Sequence, residues 1–330
     1  MRRALGVGAV VLLLALPAML GPAHGAQRFV LGIVSPTPSV LPIWIAHEQG
    51  FVRDEGLTVQ LVTFSGSRVT IQALVAQEVG AVAIAAPAVA NAVLAGTDAV
   101  MIAGFDNFMP YYLAARGMKS LLELKGKVIG IAAIGGTTDF LIRLLLPRIG
   151  LDPARDVTLL QLGGEGQRVA ALESGGVQAT PLSVLFMGVA QRRFGAVPLF
   201  DFSTLQIPYQ HTGLATTRAQ LRDHRPTLQR LMRAVVRGIH VYKTNPGWSE
   251  GVAMKYLKLE DRELARMAVV YHGTRTLRAP YVNLPGVKTV LDELARTNPR
   301  ARTVKPEDLA DQSLVREIEA EGLIRRLYGG

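Results

Sequence analysis

Short apolar runs rich in β-branched residues alternate with amphipathic helical patterns along most of the 330-residue chain, and this alternation constrains the fold most strongly. The first cycle is an apolar run over 29–34, a turn of serine, proline and threonine, and a helical pattern over 41–49 that ends at Gly50. Strands that alternate with helices typically form parallel sheets with helices packed on their faces. The sequence therefore predicts an α/β fold.

Two successive sets of strands are predicted, followed by a helical carboxyl-terminal third. The predicted strands cover 29–34, 58–64, 81–85 and 100–104 in the first set and 127–133, 157–162 and 197–200 in the second. Beyond Thr216 the pattern becomes helical, because apolar residues recur three and four positions apart between 228 and 239. Further helices are predicted around 262–271, 287–295 and 306–327.

The amino terminus has the pattern of a secretory signal peptide. Arg2 and Arg3 supply the positive start, the stretch 5–20 is almost entirely apolar, and small residues follow it. A membrane anchor would need about 20 apolar residues without the interruption at Pro17. We therefore expect a signal peptide over residues 1–26, cleaved after Gly25 or Ala26, and a mature protein in the periplasm.

Composition excludes several classes of function. The chain contains no cysteine, so disulfide scaffolds, cysteine-ligated metal sites and thiol nucleophiles are ruled out. The formal charge of +10 is scattered rather than blocked, and no nucleic-acid-binding motif is present, so no nucleic-acid partner is expected. A stripe of arginines at 230, 233 and 237 suits either a solvated helix face or a membrane partner.

One segment carries a family resemblance. Residues 42–57 read PIWIAHEQGFVRDEGL, which resembles the signature of sulfonate/nitrate/taurine-type periplasmic solute-binding proteins of ABC importers, a family that also includes thiamine pyrimidine precursor synthase-like proteins. Further stretches at 121–130, 150–153 and 168–176 follow in the order that this family shows.

The resemblance implies a two-lobed periplasmic binding fold of type II, also called a Venus flytrap, with two crossings between the lobes. Each lobe would be a mostly parallel sheet flanked by helices. The first lobe would comprise residues 27–115 and 212–330, and the second 116–211. The expected crossings are the extended segments Tyr111–Arg116 and His211–Thr216.

Candidate ligand contacts lie in loops that join predicted strands to helices, because ligands of open α/β sheets bind at the carboxyl ends of strands. Small hydroxyl and glycine residues there let the backbone approach a ligand, although the same residues are also ordinary helix caps. Gly135–Thr138 additionally matches the family's binding loop. Asp106, Glu165 and Asp201 could hold a ligand amine or hydroxyl, but surface placement is expected for each. The candidate contacts are Ser35, Thr37, Ser39, Ser65, Gly66, Ser67, Ala86, Pro87, Gly135, Gly136, Thr137 and Thr138.

The function that the resemblance implies is capture of a small molecule by hinge closure and its delivery to a membrane permease. A sulfonate, a nitrate-like anion, a pyrimidine or an aromatic acid would fit, and a monomer without cofactor or metal is expected. The chain contains neither a two-histidine metal motif nor a Gly-x-Ser-x-Gly elbow, which disfavours an enzyme. Two alternatives stay open. One is a pyrimidine-precursor-synthase-like enzyme using pyridoxal phosphate, although the cysteine-rich motif of that family is missing. The other is a ligand-sensing module that docks on a membrane receptor.

Overall fold

A computed structural model describes residues 27–64 and 66–329 of the chain. The predicted signal peptide over 1–26 and the candidate contact Ser65 lie outside the described residues. The strands are β1 (Gln27–Ile33), β2 (Leu57–Thr63), β3 (Ala81–Ala85), β4 (Ala99–Gly104), β5 (Tyr111–Ala115), β6 (Val128–Ile131), β7 (Thr158–Gln161), β8 (Ala179–Ser183), β9 (Val197–Asp201) and β10 (Thr212–Thr217).

The strands form two mixed sheets of five. The first sheet has the order β2-β1-β3-β10-β4, and the second has the order β7-β6-β8-β5-β9. In the first sheet β10 runs antiparallel to its neighbours β3 and β4, whereas β1, β2 and β3 are parallel. In the second sheet β5 is the antiparallel strand, between β8 and β9. Four of the five strands in each sheet therefore share one direction, and the predicted α/β fold with mostly parallel sheets is confirmed.

Both antiparallel strands follow a passage of the chain from one sheet to the other. β4 belongs to the first sheet and β5 to the second, so the segment 105–110 makes the first passage. β9 belongs to the second sheet and β10 to the first, so the segment 202–211 makes the return. The extended segments expected to cross, Tyr111–Arg116 and His211–Thr216, coincide largely with β5 and β10, which are sheet strands immediately after the passages.

Helices flank both sheets, and most of them follow strands as predicted. Those before β10 are α1 (Leu41–Glu48), α2 (Phe51–Asp54), α3 (Ser67–Val75), α4 (Ala86–Leu94), α5 (Thr137–Leu145), α6 (Glu165–Ser174) and α7 (Val184–Phe194). Those after it are α8 (Arg218–Asp223), α9 (Arg225–Thr244), α10 (Pro246–Leu257), α11 (Arg262–Arg275), α12 (Leu284–Leu294), α13 (Ser313–Ala320) and α14 (Leu323–Tyr328). Short 3-10 helices cover Pro38–Val40, Leu121–Leu124, Leu146–Ile149, Phe202–Leu205, Pro299–Arg302 and Pro306–Leu309. Within 27–64 and 66–329, no helix combines the length and apolar character that a bilayer crossing requires.

The single helix predicted over 306–327 is wrong. The segment forms the 3-10 helix Pro306–Leu309 and then α13 and α14, which meet at Gly322. Gly322 has φ +73°, a left-handed conformation that ends α13 and reverses the chain. The apolar spacing on either side continues, so periodicity alone could not reveal the break.

The arginine stripe of α9 holds neighbouring elements of the same fold. Arg233 binds Glu321 with N–O distances of 2.7 and 2.9 Å, and Arg237 binds Asp54 at 2.8 Å. The guanidinium of Arg237 also lies 4.0 Å from the ring centroid of Phe51, in cation–π contact. Both arginines are only partly exposed, so this face of α9 fastens α2 and the α13–α14 turn.

At Gly238, α9 lies directly against the backbone of α1. A Cβ atom at this position would lie 2.2 Å from the carbonyl oxygen of Pro42 and 3.1 Å from the Cβ of Ala46. Both obstacles belong to a neighbouring helix rather than to a flexible side-chain end, so a side chain can enter only if the helices separate.

We predict that Gly238→Ala lowers the free energy of unfolding by about 1–3 kcal/mol, because overpacking forces α1 and α9 apart. The control is Gly251→Ala in α10, where a Cβ would meet nothing within 4 Å. That change should raise stability by about 0.5–1 kcal/mol through the better helix propensity of alanine. Urea denaturation of the three proteins measures both effects. Equal stability of the two variants would contradict the packing at Gly238.

Candidate ligand-binding site

A cavity of about 210 Å³ lies between the two halves of the molecule, at the carboxyl ends of strands from both sheets. The first half contributes the loop 34–37 after β1 together with Phe64 and the start of α3. The second half contributes the loops after β6 and β7 and the side chain of Tyr111. An adjoining cavity of about 60 Å³ shares several of these residues and is also lined by His211. This edge of the sheets is where open α/β folds bind ligands.

Of the eleven predicted contacts that the structure describes, seven line the 210 Å³ cavity and four do not. Lining the 210 Å³ cavity are Ser35, Thr37, Gly66, Ser67, Gly136, Thr137 and Thr138. Ser39 and Ala86 are buried and do not line it. Pro87 and Gly135 instead line a neighbouring cavity of about 420 Å³. The loops from the two halves face one another across the gap, since a Cβ built on Gly136 would lie 3.3 Å from the hydroxyl oxygen of Ser67.

Three helices that begin at this cavity have glycine as their N-cap residue. Gly66 precedes α3, Gly136 precedes α5 and Gly164 precedes α6, and all three glycines line the cavity. A glycine has no side chain with which to accept the N–H groups of the first turn, so those donors stay available. Together with the positive end of each helix dipole they favour an anion or a carbonyl oxygen.

The loop before α6 was not among the predicted contacts, although its sequence carries the same signal. Gly163 and Gly164 directly follow the predicted strand 157–162 and immediately precede α6, as Gly135 and Gly136 immediately precede α5. The side chain of Gln167 returns to accept the N–H of Gly164 at 2.9 Å, which fixes the start of α6. The rule applied to the other strand-to-helix loops would therefore have identified this one.

Glu165 and Arg168 form a buried ion pair in the wall of the cavity, and the expectation that Glu165 is exposed is wrong. Their side chains are only 4% and 3% exposed, with 3.5 Å between Arg168 Nη2 and Glu165 Oε1. Glu165 also accepts from the backbone N–H of Ser183 at 2.6 Å and from its hydroxyl at 2.8 Å. Burying a charge is costly unless it is paired, which explains why these two side chains are held together.

One nitrogen of Arg168, its Nε, makes no hydrogen bond within the part of the chain that the structure describes. Its Nη1 donates to the carbonyl of Gly163 at 2.5 Å and its Nη2 to that of Pro181 at 3.3 Å. Its Nε is buried and has no hydrogen-bond partner among residues 27–64 and 66–329. Burial lowers the pKa of Arg168, and Glu165 opposes that change, so the guanidinium stays charged. The cavity wall thus contains a cation with an unsatisfied N–H group.

The two threonines of the α5 loop have different roles. The hydroxyl of Thr138 accepts the backbone N–H of Ala132 at 2.7 Å, and its side chain is almost fully buried. Thr138 therefore fixes the loop between β6 and α5, whereas the side chain of Thr137 lies at the cavity, at the first position of the helix.

A buried polar cluster lies beside the cavity where the two passages of the chain meet. Asp106 is fully buried, and its Oδ2 lies 3.4 Å from Nδ1 of His211 and 3.4 Å from Nδ1 of His272. Nε2 of His211 is 3.3 Å from the hydroxyl of Tyr111, which lines the cavity. The expectation of surface placement is therefore wrong for Asp106 as well, whereas Asp201 is partly exposed and caps the turn at Ser203.

Burial alone would raise the pKa of Asp106, but the imidazoles of His272 and His211 outweigh it and hold the pKa well below its usual range. Folding lowers the pKa of this carboxyl from its ordinary value of 3.8. The ionised carboxylate therefore stabilises the fold at every pH above 3.8, and this contribution is lost as the pH falls from 3.8 to the lower pKa of the folded protein.

We predict that Asp106→Asn lowers the free energy of unfolding at pH 7 by about 3 kcal/mol, because it removes one partner of a buried charged cluster. The difference from the unmodified protein should shrink as the pH falls below about 4, where the carboxyl begins to gain a proton in the unfolded chain. Asp292→Asn on the exposed face of α12 serves as control and should change stability by less than about 0.5 kcal/mol. Chemical denaturation between pH 2.5 and 7 makes the measurement. A stability difference between Asp106→Asn and the unmodified protein that does not vary with pH would contradict the lowered pKa of Asp106.

Comparison with known protein families shows to which family the chain belongs. The profile of the family described as NMT1/THI5 like matches residues 37–248, more than half of the chain. The chain belongs to this family. The match starts at Thr37 in the first predicted ligand loop and extends through β10 into α10, so it includes both passages and most of the residues that line the cavity.

Solved structures with the same fold include binding proteins for small anions. A Bordetella bronchiseptica RB50 protein superposes with a TM-score of 0.80 and 21% identity, covering 90% of this chain and 98% of its own. The alkanesulfonate-binding protein SsuA of Xanthomonas axonopodis pv. citri, bound to MOPS, has a TM-score of 0.74 and 15% identity and covers 87% and 98%. The periplasmic nitrate-binding protein NrtA of Synechocystis PCC 6803 has a TM-score of 0.75 and 14% identity and covers 89% of each chain.

A relative found by sequence also has a name that refers to binding. A Brucella abortus (strain 2308) protein, named as a candidate binding protein, is 26% identical over 227 residues, which is 67% of this chain and 68% of that protein. The resemblance inferred from residues 42–57 and the two-lobed periplasmic binding fold are both confirmed.

Proposed function

We propose that this protein is the exported solute-binding component of an ABC importer, which captures a small molecule between its two halves and presents it to a membrane permease. One observation carries the proposal. Three helices from both halves, α3, α5 and α6, direct first-turn N–H groups without side-chain caps at a single cavity of about 210 Å³. The curated relative named for binding and the importer components of the same fold support it.

The ligand that suits this cavity is small and carries exposed oxygen atoms. The only charged residues lining the described cavity are Glu165 and Arg168, which offset each other, so the helix ends supply the net positive potential. Val34 and Phe64 add an apolar wall. A sulfonate, a nitrate-like anion, a carboxylate or the carbonyl edge of a pyrimidine fits these groups. Because two proteins of the same fold bind an alkanesulfonate and nitrate, we favour an anion among these ligands.

Capture requires that the halves move as bodies. We propose lobes close to residues 27–115 with 212–330 and 116–211, joined through the segments 105–110 and 202–211. Closing around a ligand brings the loop 34–37 and Ser67 against Gly136 and Thr137. The ligand shifts this equilibrium only by its preference for the closed form, and about 5.5 kcal/mol moves the population from 1:99 to 99:1. The permease would recognise the closed monomer.

The proposed location is the periplasm. It rests on the signal-peptide pattern of residues 1–26 and on the periplasmic proteins that share the fold. Determining the amino terminus of protein recovered from the periplasm tests it directly, with Ala26 or Gln27 expected as the first residue.

Binding without catalysis is the function we favour over a pyrimidine-synthase-like activity. Pyridoxal phosphate is held by a lysine as a Schiff base, and no lysine lines the described cavity. The chain also contains none of the cysteines of that enzyme family. The residues present do not fit the cofactor, and purified protein should show no pyridoxal absorbance after incubation with it.

A thermal-shift panel tests the proposal. The probes are methanesulfonate, MOPS, sodium nitrate, a 4-aminopyrimidine and benzoate, each at several concentrations. A ligand present at 100 times its dissociation constant should stabilise the protein by about 2.7 kcal/mol and raise the midpoint of unfolding accordingly. Sodium chloride at matched ionic strength is the control. Absence of any stabilising probe across this panel would contradict the ligand class.

We predict that Thr137→Val weakens binding of the best probe about three- to tenfold without loss of stability, because it removes a hydroxyl at the cavity and keeps the side-chain shape. Thr138→Val is the matched control. It should lower the free energy of unfolding by about 1–3 kcal/mol, because the N–H of Ala132 loses its acceptor. Isothermal titration calorimetry and urea denaturation separate the two effects. If Thr137→Val left affinity unchanged, this loop would not belong to the ligand site.

A further inference from the structure

The amide of Asn91 joins the two halves beside the ligand cavity. Asn91 lies on α4 in the first half, and its Nδ2 donates to the carbonyl of Gly135 in the second half at 3.0 Å. The same nitrogen donates to the carbonyl of Pro87 one turn earlier on α4 at 2.8 Å, which fixes the orientation of the amide. The contact connects residues 44 positions apart and lies outside both chain passages.

Gly135 is held from both sides at once. Its N–H donates to Oδ2 of Asp139 at 2.9 Å, and the other carboxylate oxygen of Asp139 accepts from Nε of Arg143 at 2.9 Å. The N–H is thus fixed by its own half and the carbonyl by Asn91 of the other half. Gly135 has φ +77°, which residues with a Cβ rarely adopt, so the loop keeps this course only at glycine.

The contact between Asn91 and Gly135 lies next to the ligand site because the following residue, Gly136, lines the cavity. Gly136 is the N-cap of α5 and lines the 210 Å³ cavity, as does Thr137 after it. Fixing the carbonyl of Gly135 fixes the peptide plane that leads into α5. The N–H of the same peptide plane, that of Gly136, donates to the carbonyl of Ala133 at 3.1 Å. Asn91 therefore adds a contact from the first half to a loop whose course its own half also holds.

A second contact between the halves has the character of a permanent interface. Leu264 and Ala268 of α11 are buried against Leu185 of α7, and Gly188 of α7 allows this approach, because a Cβ there would lie 2.8 Å from Leu264. Arg192 adds ion pairs with Asp261 and, at 3.0 Å, with Glu263. The other end of α11 carries His272, which contacts Asp106 in the first passage.

We propose that Asn91 is a positioning residue that latches the cleft: its amide holds the Gly135 carbonyl across the two halves, while the α7–α11 contact stays packed as the pivot. Beside Asn91, α4 and α12 of the first half also lie against α5 of the second, and their buried apolar residues belong to one cluster. Opening on this side therefore breaks the Asn91 hydrogen bond together with apolar contacts. The Asn91 contact forms without a ligand. The test of this proposal is therefore independent of the proposed transport function. Removing the donor should lower the ratio of closed to open molecules about three- to tenfold.

The absence of cysteine from the chain allows a direct test. Val75→Cys on α3 and Leu160→Cys on β7 place one spin label on each half, at side chains that are 44% and 41% exposed. Electron–electron double resonance then reports the distance between the halves without added ligand. In the otherwise unmodified chain we expect one dominant short distance.

The test variant is Asn91→Asp, which has the shape of asparagine but no N–H donor, and its carboxylate repels the Gly135 carbonyl. A longer distance should appear, and the ratio of the short to the long population should fall about three- to tenfold. Asn91→Ala should give a smaller change in the same direction. Gln72→Ala, an exposed amide on α3, is the control and should leave the distribution unchanged. Thermal unfolding confirms that each variant is folded. An unchanged distribution in both Asn91 variants, or an equal shift in the control, would overturn the proposal.

Discussion

Each sheet contains one strand that runs antiparallel to the other four strands and that enters directly from the other half of the molecule. β5 and β10 are these strands, and the passages before them, 105–110 and 202–211, touch where the N–H of His211 donates to the carbonyl of Asp106 at 2.9 Å. Because the chain passes twice at one place, the halves share an axis and the carboxyl ends of their parallel strands meet at one gap. The cavity, its helix ends and the polar cluster of Asp106 all depend on this double passage.

The cavity is built at a cost to helix stability. A side-chain cap is typically worth about 1 kcal/mol, and α3, α5 and α6 have none because their N-cap residues are glycine. Several helices elsewhere have such caps, provided by Ser183, Thr217, Asn245, Asp261 and Asn283. Without a side-chain cap, the N–H groups of the first helical turn can donate to a ligand oxygen, and glycine also lets the backbone approach the ligand closely. The stabilisation that a side chain would have given is available to a bound anion instead.

Local sequence patterns predicted most of the fold, because apolar periodicity and glycine or proline breaks act over a few residues. β8 was missed, since Pro181 lies within it and proline is unusual in an inner strand. Gln178 immediately precedes β8 in the chain. Its side chain accepts the N–H of Val128 at 3.0 Å, so the loop is tied to β6.

The loops of the site could be predicted from the sequence, whereas its buried polar contacts could not, because the loops depend on local sequence and the contacts join distant segments. The loops of Ser35, Gly66 and Gly136 are recognisable because turn chemistry is local. The buried Asp106 depends on His211, which lies 105 residues later, and on His272 in α11. An isolated acid in the sequence suggests the surface, and only the tertiary structure shows that its partners arrive from distant segments. The same holds for Asn91, whose partner Gly135 belongs to the other half.

The central claim is that a ligand oxygen is bound by the first-turn N–H groups of helices from both halves. Two-dimensional ¹H–¹⁵N NMR during titration with methanesulfonate measures those groups individually. The account predicts saturable shifts of the amides of Ser67, Thr137 and Glu165, the first residues of α3, α5 and α6, with downfield movement of the bound protons. Saturable shifts confined to the 420 Å³ cavity around Arg143, or to one half alone, would contradict it.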